Sequence, residues 1–230
     1  MGLRILAILA LSAGLAGCMQ STAEPVAESS FNSRDKDLLA KAPYQKAVLA
    51  EPYRRHIVDY HRKEAAGSII VDSDARYLYY VLPDGRDGRK KAIRYGIAVG
   101  EEALAFSGIA KVGRTAEWPS WTPTKNIKDR LGPEIPNFVG PGPHNPLGAR
   151  ALYLYANGKD TLFRIHGTNQ PEMIGSAVSS GCIRMTNEDI IDLYNRVKMN
   201  SIVVVLAPNQ GDSPSNPQIA LTASVPVQGH

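Results

Sequence analysis

The feature that most constrains the fold is a series of short β-forming runs that begins after Gly67. Each run is rich in β-branched and aromatic residues, and turn-forming residues separate it from the next, which predicts strands joined by tight turns. In chain order the runs are SIIVD, RYLYYVL, AIRYGIAVG, FSGIAKVGRT, ALYLYA, TLFRIHG and SIVVVLA. The sequence therefore predicts one mainly β domain over residues 67–207, with a start near residue 57 as the alternative.

Two segments interrupt this strand pattern. The stretch from Trp118 to Gly148 is rich in proline, which sheet interiors exclude, so a long ordered loop with a functional role is predicted there. The second segment, TNEDIIDLYNRV, offers Thr186 or Asn187 as an N-cap, acidic residues in its first turn and one apolar face. A helix is predicted for this second segment.

The N-terminus has the features of an export signal over residues 1–17. One charge, Arg4, precedes an apolar run that is too short to span a membrane. The small residues before Cys18 resemble the lipobox of bacterial lipoproteins, so lipidation of Cys18 is predicted; in the alternative, an ordinary signal peptide, Cys18 is discarded. The next two residues are Met and Gln rather than Asp, which favours the periplasmic (inner) leaflet of the outer membrane.

The segments that flank the β domain are polar. Residues 18–42 are predicted to form a flexible tether, residues 43–66 an extension that packs on the domain, and residues 208–230 a disordered tail. Without Arg4, 25 basic and 22 acidic side chains remain and are spread along the chain, which argues against a nucleic-acid partner.

Cys182 is the only cysteine that would remain as a free thiol if Cys18 carried lipid. An arginine two residues on and a helix start nearby would both favour the thiolate, and backbone amides around Gly181 could stabilise an oxyanion. His166 ends a strand-like run and could serve as the base. From the residues alone, this pair fits either nucleophilic catalysis or ordinary packing.

The segment HGTNQPEMIGSAVSSGCIRM resembles the signature of the YkuD-type L,D-transpeptidases of the ErfK/YbiS group, which is HGT, a glycine, and then S-x-G-C-[IV]-R. PGPHNPLGARALYL, WPSWTPT and GSIIVDSDARYLYYV resemble other segments of that family. The resemblance implies a mixed β-sandwich or barrel-like catalytic domain with a few short helices. It implies no cofactor and no metal.

Carried over by position, the resemblance makes Cys182 the nucleophile and His166 the base. It also implies two further sets of site residues. The groups that orient the site or form the oxyanion hole are Gly167, Ser180 and Gly181, and the substrate-binding residues are Ser179, Arg184, Trp121 and Asn145. Many members have a second histidine where this chain has Ser180, which calls a mechanism with two histidines into question. His144 in the proline-rich loop is the alternative second histidine, although a surface role is favoured for it.

The implied reaction is acyl transfer on peptidoglycan stem peptides, with a stem amine or an envelope protein as the acceptor. An L,D-carboxypeptidase and a non-catalytic peptidoglycan-binding lipoprotein are the alternatives. A metallo-hydrolase using His144, His166 and Cys182 is disfavoured, because short metal-ligand spacings are missing. Trp118 and Trp121 either line the substrate groove or anchor the proline-rich loop.

Overall fold

The computed structural model describes residues 22–23, 30–100, 106–178 and 182–211. The strands within them are β1 (Thr22–Ala23), β2 (His56–Asp59), β3 (Ile69–Asp72), β4 (Tyr77–Val81), β5 (Lys91–Gly96), β6 (Ala98–Gly100), β7 (Gly108–Glu117), β8 (Arg150–Ala156), β9 (Lys159–His166), β10 (Ala177–Val178), β11 (Ile183–Arg184) and β12 (Ile202–Val205). The helices are α1 (Ser33–Leu39), α2 (Lys125–Leu131) and α3 (Asn187–Arg196), with 3-10 turns at Glu51–Tyr53 and Pro171–Met173. Every predicted strand run forms a strand, and the predicted helix is α3.

The described strands join in one sheet in the order β1-β2-β5-β4-β3-β12-β7-β8-β9-β11-β6-β10. β5 and β6 are separated along the chain by Ile97 alone, yet they lie near opposite ends of this order. The sheet must therefore curl back on itself, which confirms the predicted mainly β, barrel-like fold.

Side chains of β3 are buried on both faces of the curled sheet. Ile69 and Val71 belong to the main core cluster, while Ile70 between them packs in a second cluster with Val58 and Leu206. Successive side chains of a strand point to opposite faces, so a strand buried on both sides must be apolar at every position, as the IIV run of β3 is.

Helix α1 lies within residues 18–42, which the sequence predicts as a flexible tether. That prediction is wrong for Ser33–Leu39, which are helical. Asn32 caps this helix, and Asp35 within it is 1% exposed. The Asp35 carboxylate accepts hydrogen bonds at 2.8 Å from Nη1 and Nη2 of Arg150 and from Nε1 of Trp118. The polar composition of the segment could not reveal this contact, because one buried carboxylate with distant partners orders a helix that has few apolar residues of its own.

The other flanking segments are described in part. β2 lies within the predicted extension 43–66 and pairs with β5, so this segment adds a strand to the sheet. Asn209, in the predicted tail, donates its backbone N–H to the Asp74 carboxylate at 2.6 Å. The remainder of the tail, residues 212–230, and the predicted signal segment 1–17 lie outside the described residues.

Candidate active site

A thiol, an imidazole and a guanidinium meet on the floor of one cleft. β11 runs parallel to β9, and the pairing sets Arg184 beside His166. Cys182 comes directly before β11, and its carbonyl accepts from the Gly100 amide at 3.1 Å. Cys182, His166 and Arg184 all line the cleft. Strand pairing therefore brings together side chains that lie up to 18 positions apart in the sequence.

His166 is held in the form that can accept a proton. Its Nδ1 lies 2.6 Å from the Gly167 carbonyl oxygen, which can only accept, so Nδ1 carries the hydrogen and Nε2 keeps a free lone pair. The pKa of His166 is lowered to about 4, chiefly by burial; the Gly167 contact opposes this shift, and the charges of Arg184 and Arg164 add to it. The imidazole is therefore neutral at neutral pH.

Asn187, the first residue of α3, ties the strand ends behind this site together. Its Oδ1 accepts from the Ala149 amide at 2.8 Å, and its Nδ2 donates to the Thr168 carbonyl at 3.0 Å. A Cβ at Gly148 or Gly167 would collide with Asn187 Oδ1, so only glycine allows this approach. The sequence identified Asn187 only as an alternative cap; Thr186 is the N-cap, and its hydroxyl accepts from the Asp189 amide at 3.1 Å.

The cleft has a volume of about 1060 Å³, large enough for several peptide residues. α2 and the rest of the proline-rich loop form one wall, with apolar side chains such as Ile127 and Leu131. Arg184 is half-buried in the floor, and its Nη1 donates to Gln170 Oε1 at 3.3 Å. Burial lowers the pKa of Arg184, the nearby charge of Arg130 lowers it further, and Cys182 raises it.

Leu162 marks a strained point on the rim of this cleft. It has a φ of 63° and is 74% exposed, which is unusual for a bulky side chain. A register shift between β8 and β9 accompanies it, and its amide donates to Asp160 Oδ1 at 2.8 Å. The sequence reading did not single out Leu162, because a single leucine inside a strand run carries no signal of the bulge.

The two tryptophans have different roles. Trp121 lines the cleft, and its backbone bridges to Val139 across the loop. Trp118 is 1% exposed and bonds to Asp35, so it anchors the base of the loop. The sequence left open whether the tryptophans line the groove or anchor the loop: Trp121 fits the first role and Trp118 fits the second.

Asn145 lies in the interior of the proline-rich loop rather than on the cleft surface. It is fully buried, and its Nδ2 is within 2.9–3.1 Å of the carbonyl oxygens of Pro119, Val139 and Gly140. This geometry fits a residue that holds the loop in shape, and it leaves no exposed amide to contact a substrate. The next residue back, His144, is exposed and lines the cleft.

Several predicted site residues lie outside the described part of the chain. These are Ser179, Ser180, Gly181 and Cys18. Among the described residues, no group of three or more His, Cys, Asp or Glu side chains is placed to hold a metal ion. Within the same residues, no helix has the length and apolar character needed to cross a membrane.

Comparison with known proteins identifies the domain. Residues 66–205 match the family model for YkuD, the L,D-transpeptidase catalytic domain. The Escherichia coli (strain K12) protein named "Probable L,D-transpeptidase ErfK/SrfK" is 35% identical over 141 residues, which cover 60% of this chain and 43% of that protein. YqjB of Bacillus subtilis (strain 168), which carries a provisional L,D-transpeptidase name, is 40% identical over 144 residues, or 62% of this chain and 72% of that protein.

A crystal structure from Brucella melitensis is also similar. It is described as a probable carnitine operon oxidoreductase caia, is 44% identical, and has a TM-score of 0.44 over 67% of this chain and 94% of that one. At that TM-score the superposition supports no conclusion about activity. The matched region spans about half the length of the first curated relatives, such as ErfK/SrfK. The family model covers more than half of this chain and agrees with the signature around Cys182, so the chain belongs to the YkuD family of L,D-transpeptidase catalytic domains.

Proposed function

We propose that the chain is a peptidoglycan L,D-transpeptidase in which Cys182 is the nucleophile. The observation that carries the proposal is the meeting of Cys182, His166 and Arg184 in one cleft, with His166 neutral and its Nε2 free to accept a proton. Membership of the YkuD family supports the same reaction. A nucleophile beside an oriented base is the arrangement that acyl transfer through a thioester requires.

The first half-reaction forms the thioester. Nε2 of His166 takes the proton of the Cys182 thiol as the sulfur attacks the carbonyl of the diaminopimelate residue at the third position of a tetrapeptide stem. The tetrahedral oxyanion is stabilised by backbone amides near Gly181 and Cys182. The bond to the terminal D-alanine then breaks, and the leaving amine takes the proton from the imidazolium.

The second half-reaction releases the acyl group. An amine attacks the thioester carbonyl, His166 accepts the amine proton, and the Cys182 sulfur leaves and regains a proton. A diaminopimelate side-chain amine as acceptor gives a wall cross-link, and an amine of an envelope protein gives attachment of that protein to the wall. Arg184 binds a carboxylate of the donor and so positions the carbonyl over the thiol.

The proposal extends to location. A lipid on Cys18 would hold the chain on the periplasmic face of the outer membrane, where it can reach the wall. Each acyl methylene that enters the bilayer contributes about 0.8 kcal/mol, so a multiply acylated cysteine is a durable anchor. Mass spectrometry of the N-terminal peptide from cells tests this part: an unmodified chain cleaved after residue 18 would contradict it.

The test of the reaction is mass spectrometry of tetrapeptide muropeptides incubated with the full chain, beside its Cys182→Ala variant. A dimer linked between diaminopimelates, formed with loss of D-alanine and absent with the variant, is the expected product. Tripeptide alone would instead indicate an L,D-carboxypeptidase, or a protein acceptor missing from the assay. Unchanged muropeptides would refute the proposed reaction and favour a peptidoglycan-binding protein.

A second readout isolates the reactivity of the thiol from the choice of acceptor. Meropenem carries a strained lactam carbonyl that Cys182 would open to form a stable acyl-enzyme. The intact mass of the full chain should rise by one meropenem, and the Cys182→Ala variant should stay unmodified. Equal labelling of both proteins, or of neither, would contradict an activated thiol at this position.

A further inference from the structure

The cleft carries more positive charge than the proposed reaction assigns to it. Among the described residues that line it, Lys125, Arg130 and Arg184 are cationic and none is Asp or Glu. The ammonium of Lys125 lies 2.6 Å from a carboxylate oxygen of Asp129 on the same helix. Of the three cations, the two arginines carry the planar guanidinium group whose parallel N–H groups match the two oxygens of a carboxylate.

Arg130 and Arg184 line the cleft from two different elements. Arg184 ends β11 on the sheet floor, whereas Arg130 lies in the last turn of α2 in the proline-rich loop. Burial lowers the pKa of Arg184, Cys182 raises it, and the charge of Arg130 lowers it in addition. An anion bound in the cleft would be attracted by both guanidinium groups.

We propose that Arg130 is a second carboxylate-binding residue of the cleft, which binds a free carboxylate of the donor stem other than the one that Arg184 binds. This inference rests on the proposed function, because it takes a peptidoglycan stem as the ligand. A tetrapeptide stem carries free carboxylates on its terminal D-alanine and on residues before it, so it presents more than one anion to the cleft. A guanidinium matches the two oxygens of a carboxylate with two parallel N–H groups.

Binding to a protein that cannot turn over measures this contact directly. In the Cys182→Ala background, the Kd of a synthetic tetrapeptide stem is measured by calorimetry with and without Arg130→Gln. We expect Arg130→Gln to raise the Kd about two- to fivefold, because Arg130 is exposed and water screens its pairing with a carboxylate. Arg130→Lys should keep part of the affinity, since it keeps the charge and loses the two-pronged contact.

Lys128→Gln is the matched control. Lys128 lies on the same helix and loses the same charge, but its Nζ donates to Asn137 Oδ1 at 2.7 Å and it is not among the residues that line the cleft. The Kd of the stem for Lys128→Gln should match the Kd for the Cys182→Ala protein without that change. Stems in which one carboxylate at a time is amidated identify the group that Arg130 binds. When the amidated carboxylate is the one that Arg130 binds, Arg130→Gln should no longer change the Kd.

Each other outcome overturns the inference. An unchanged Kd for Arg130→Gln does so, as does an equal loss for Arg130→Gln and Lys128→Gln, which would indicate the net charge of the helix rather than a contact. Failure of the proposed reaction is seen in a separate assay, in which the chain with intact Cys182 leaves muropeptides unchanged. The Kd comparison still shows in that case whether Arg130 binds the stem. A parent protein that binds no stem at all would overturn both.

Discussion

Replacement of Asp35 by asparagine should destabilise the whole catalytic domain, although Asp35 lies in the segment predicted as a tether. The change keeps the size of the side chain and an oxygen for Trp118, but it removes the negative charge and turns an NH₂ group toward Arg150. Arg150 is 1% exposed, so its guanidinium would be left buried without its bidentate partner. Removing one member of a buried ion pair costs about 3–5 kcal/mol.

The lower end of that range applies here. Glu117 is 41% exposed and lies 3.8 Å from Arg150 Nη2, so it can compensate in part. A loss of about 3 kcal/mol corresponds to a fall in Tm of roughly 6–12 °C for a domain of this size. Thermal unfolding followed by circular dichroism measures it. The Arg150 carbonyl accepts from the Gly167 amide at 3.0 Å, next to His166, so kcat should fall as well.

Asp37→Asn is the control, because Asp37 is exposed on the same helix and loses the same charge. Its free energy of unfolding should stay within about 0.5 kcal/mol of the parent value. A chain that begins at residue 43 lacks α1 and should resemble Asp35→Asn. An unchanged Tm for both Asp35→Asn and the shortened chain would refute the argument that α1 is part of the domain.

Three further predictions concern the site and its support. Since burial lowers the pKa of His166 to about 4, the acidic limb of a kcat/KM profile should fall near pH 4, and a limb near pH 6.5 would contradict a neutral buried base. Burial raises the pKa of Asp189 to about 7, so the parent loses stability as pH rises from about 4 to 7. The Tm of Asp189→Asn minus that of the parent should therefore be more positive at pH 8 than at pH 5. The same Tm difference at both pH values would argue against this. Asn187→Ala leaves the Ala149 amide and the Thr168 carbonyl without partners, which should cost about 2–4 kcal/mol in denaturant unfolding and lower kcat; parent-like values would show that Asn187 is not a brace.

The sequence was sufficient for features that local chemistry controls. The strand runs and the helix after Thr186 could be predicted because alternation, turn residues and capping act over a few neighbouring positions. The family could be recognised because the spacing of His166, Gly181, Cys182 and Arg184 is carried by one continuous segment. That segment runs from the end of β9 to just past β11, so it already contains the cleft-lining His166, Cys182 and Arg184.

The tertiary structure alone decided which polar residues face the cleft and which are buried. Asn145 and Arg130 belong to the same proline-rich loop. Asn145 is fully buried and bonds to carbonyl groups of that loop, whereas Arg130 is exposed on the cleft wall. Asp35 reads as one more charge in a polar segment until folding brings it to Arg150, 115 residues away. The sequence by itself determined the predicted strand runs and the helix after Thr186, because those depend on short-range pattern, and its family resemblance proposed Cys182 and His166 as thiol and base. Charge pairing, burial and the lowered pKa of His166 depend on groups that only the folded chain brings into contact.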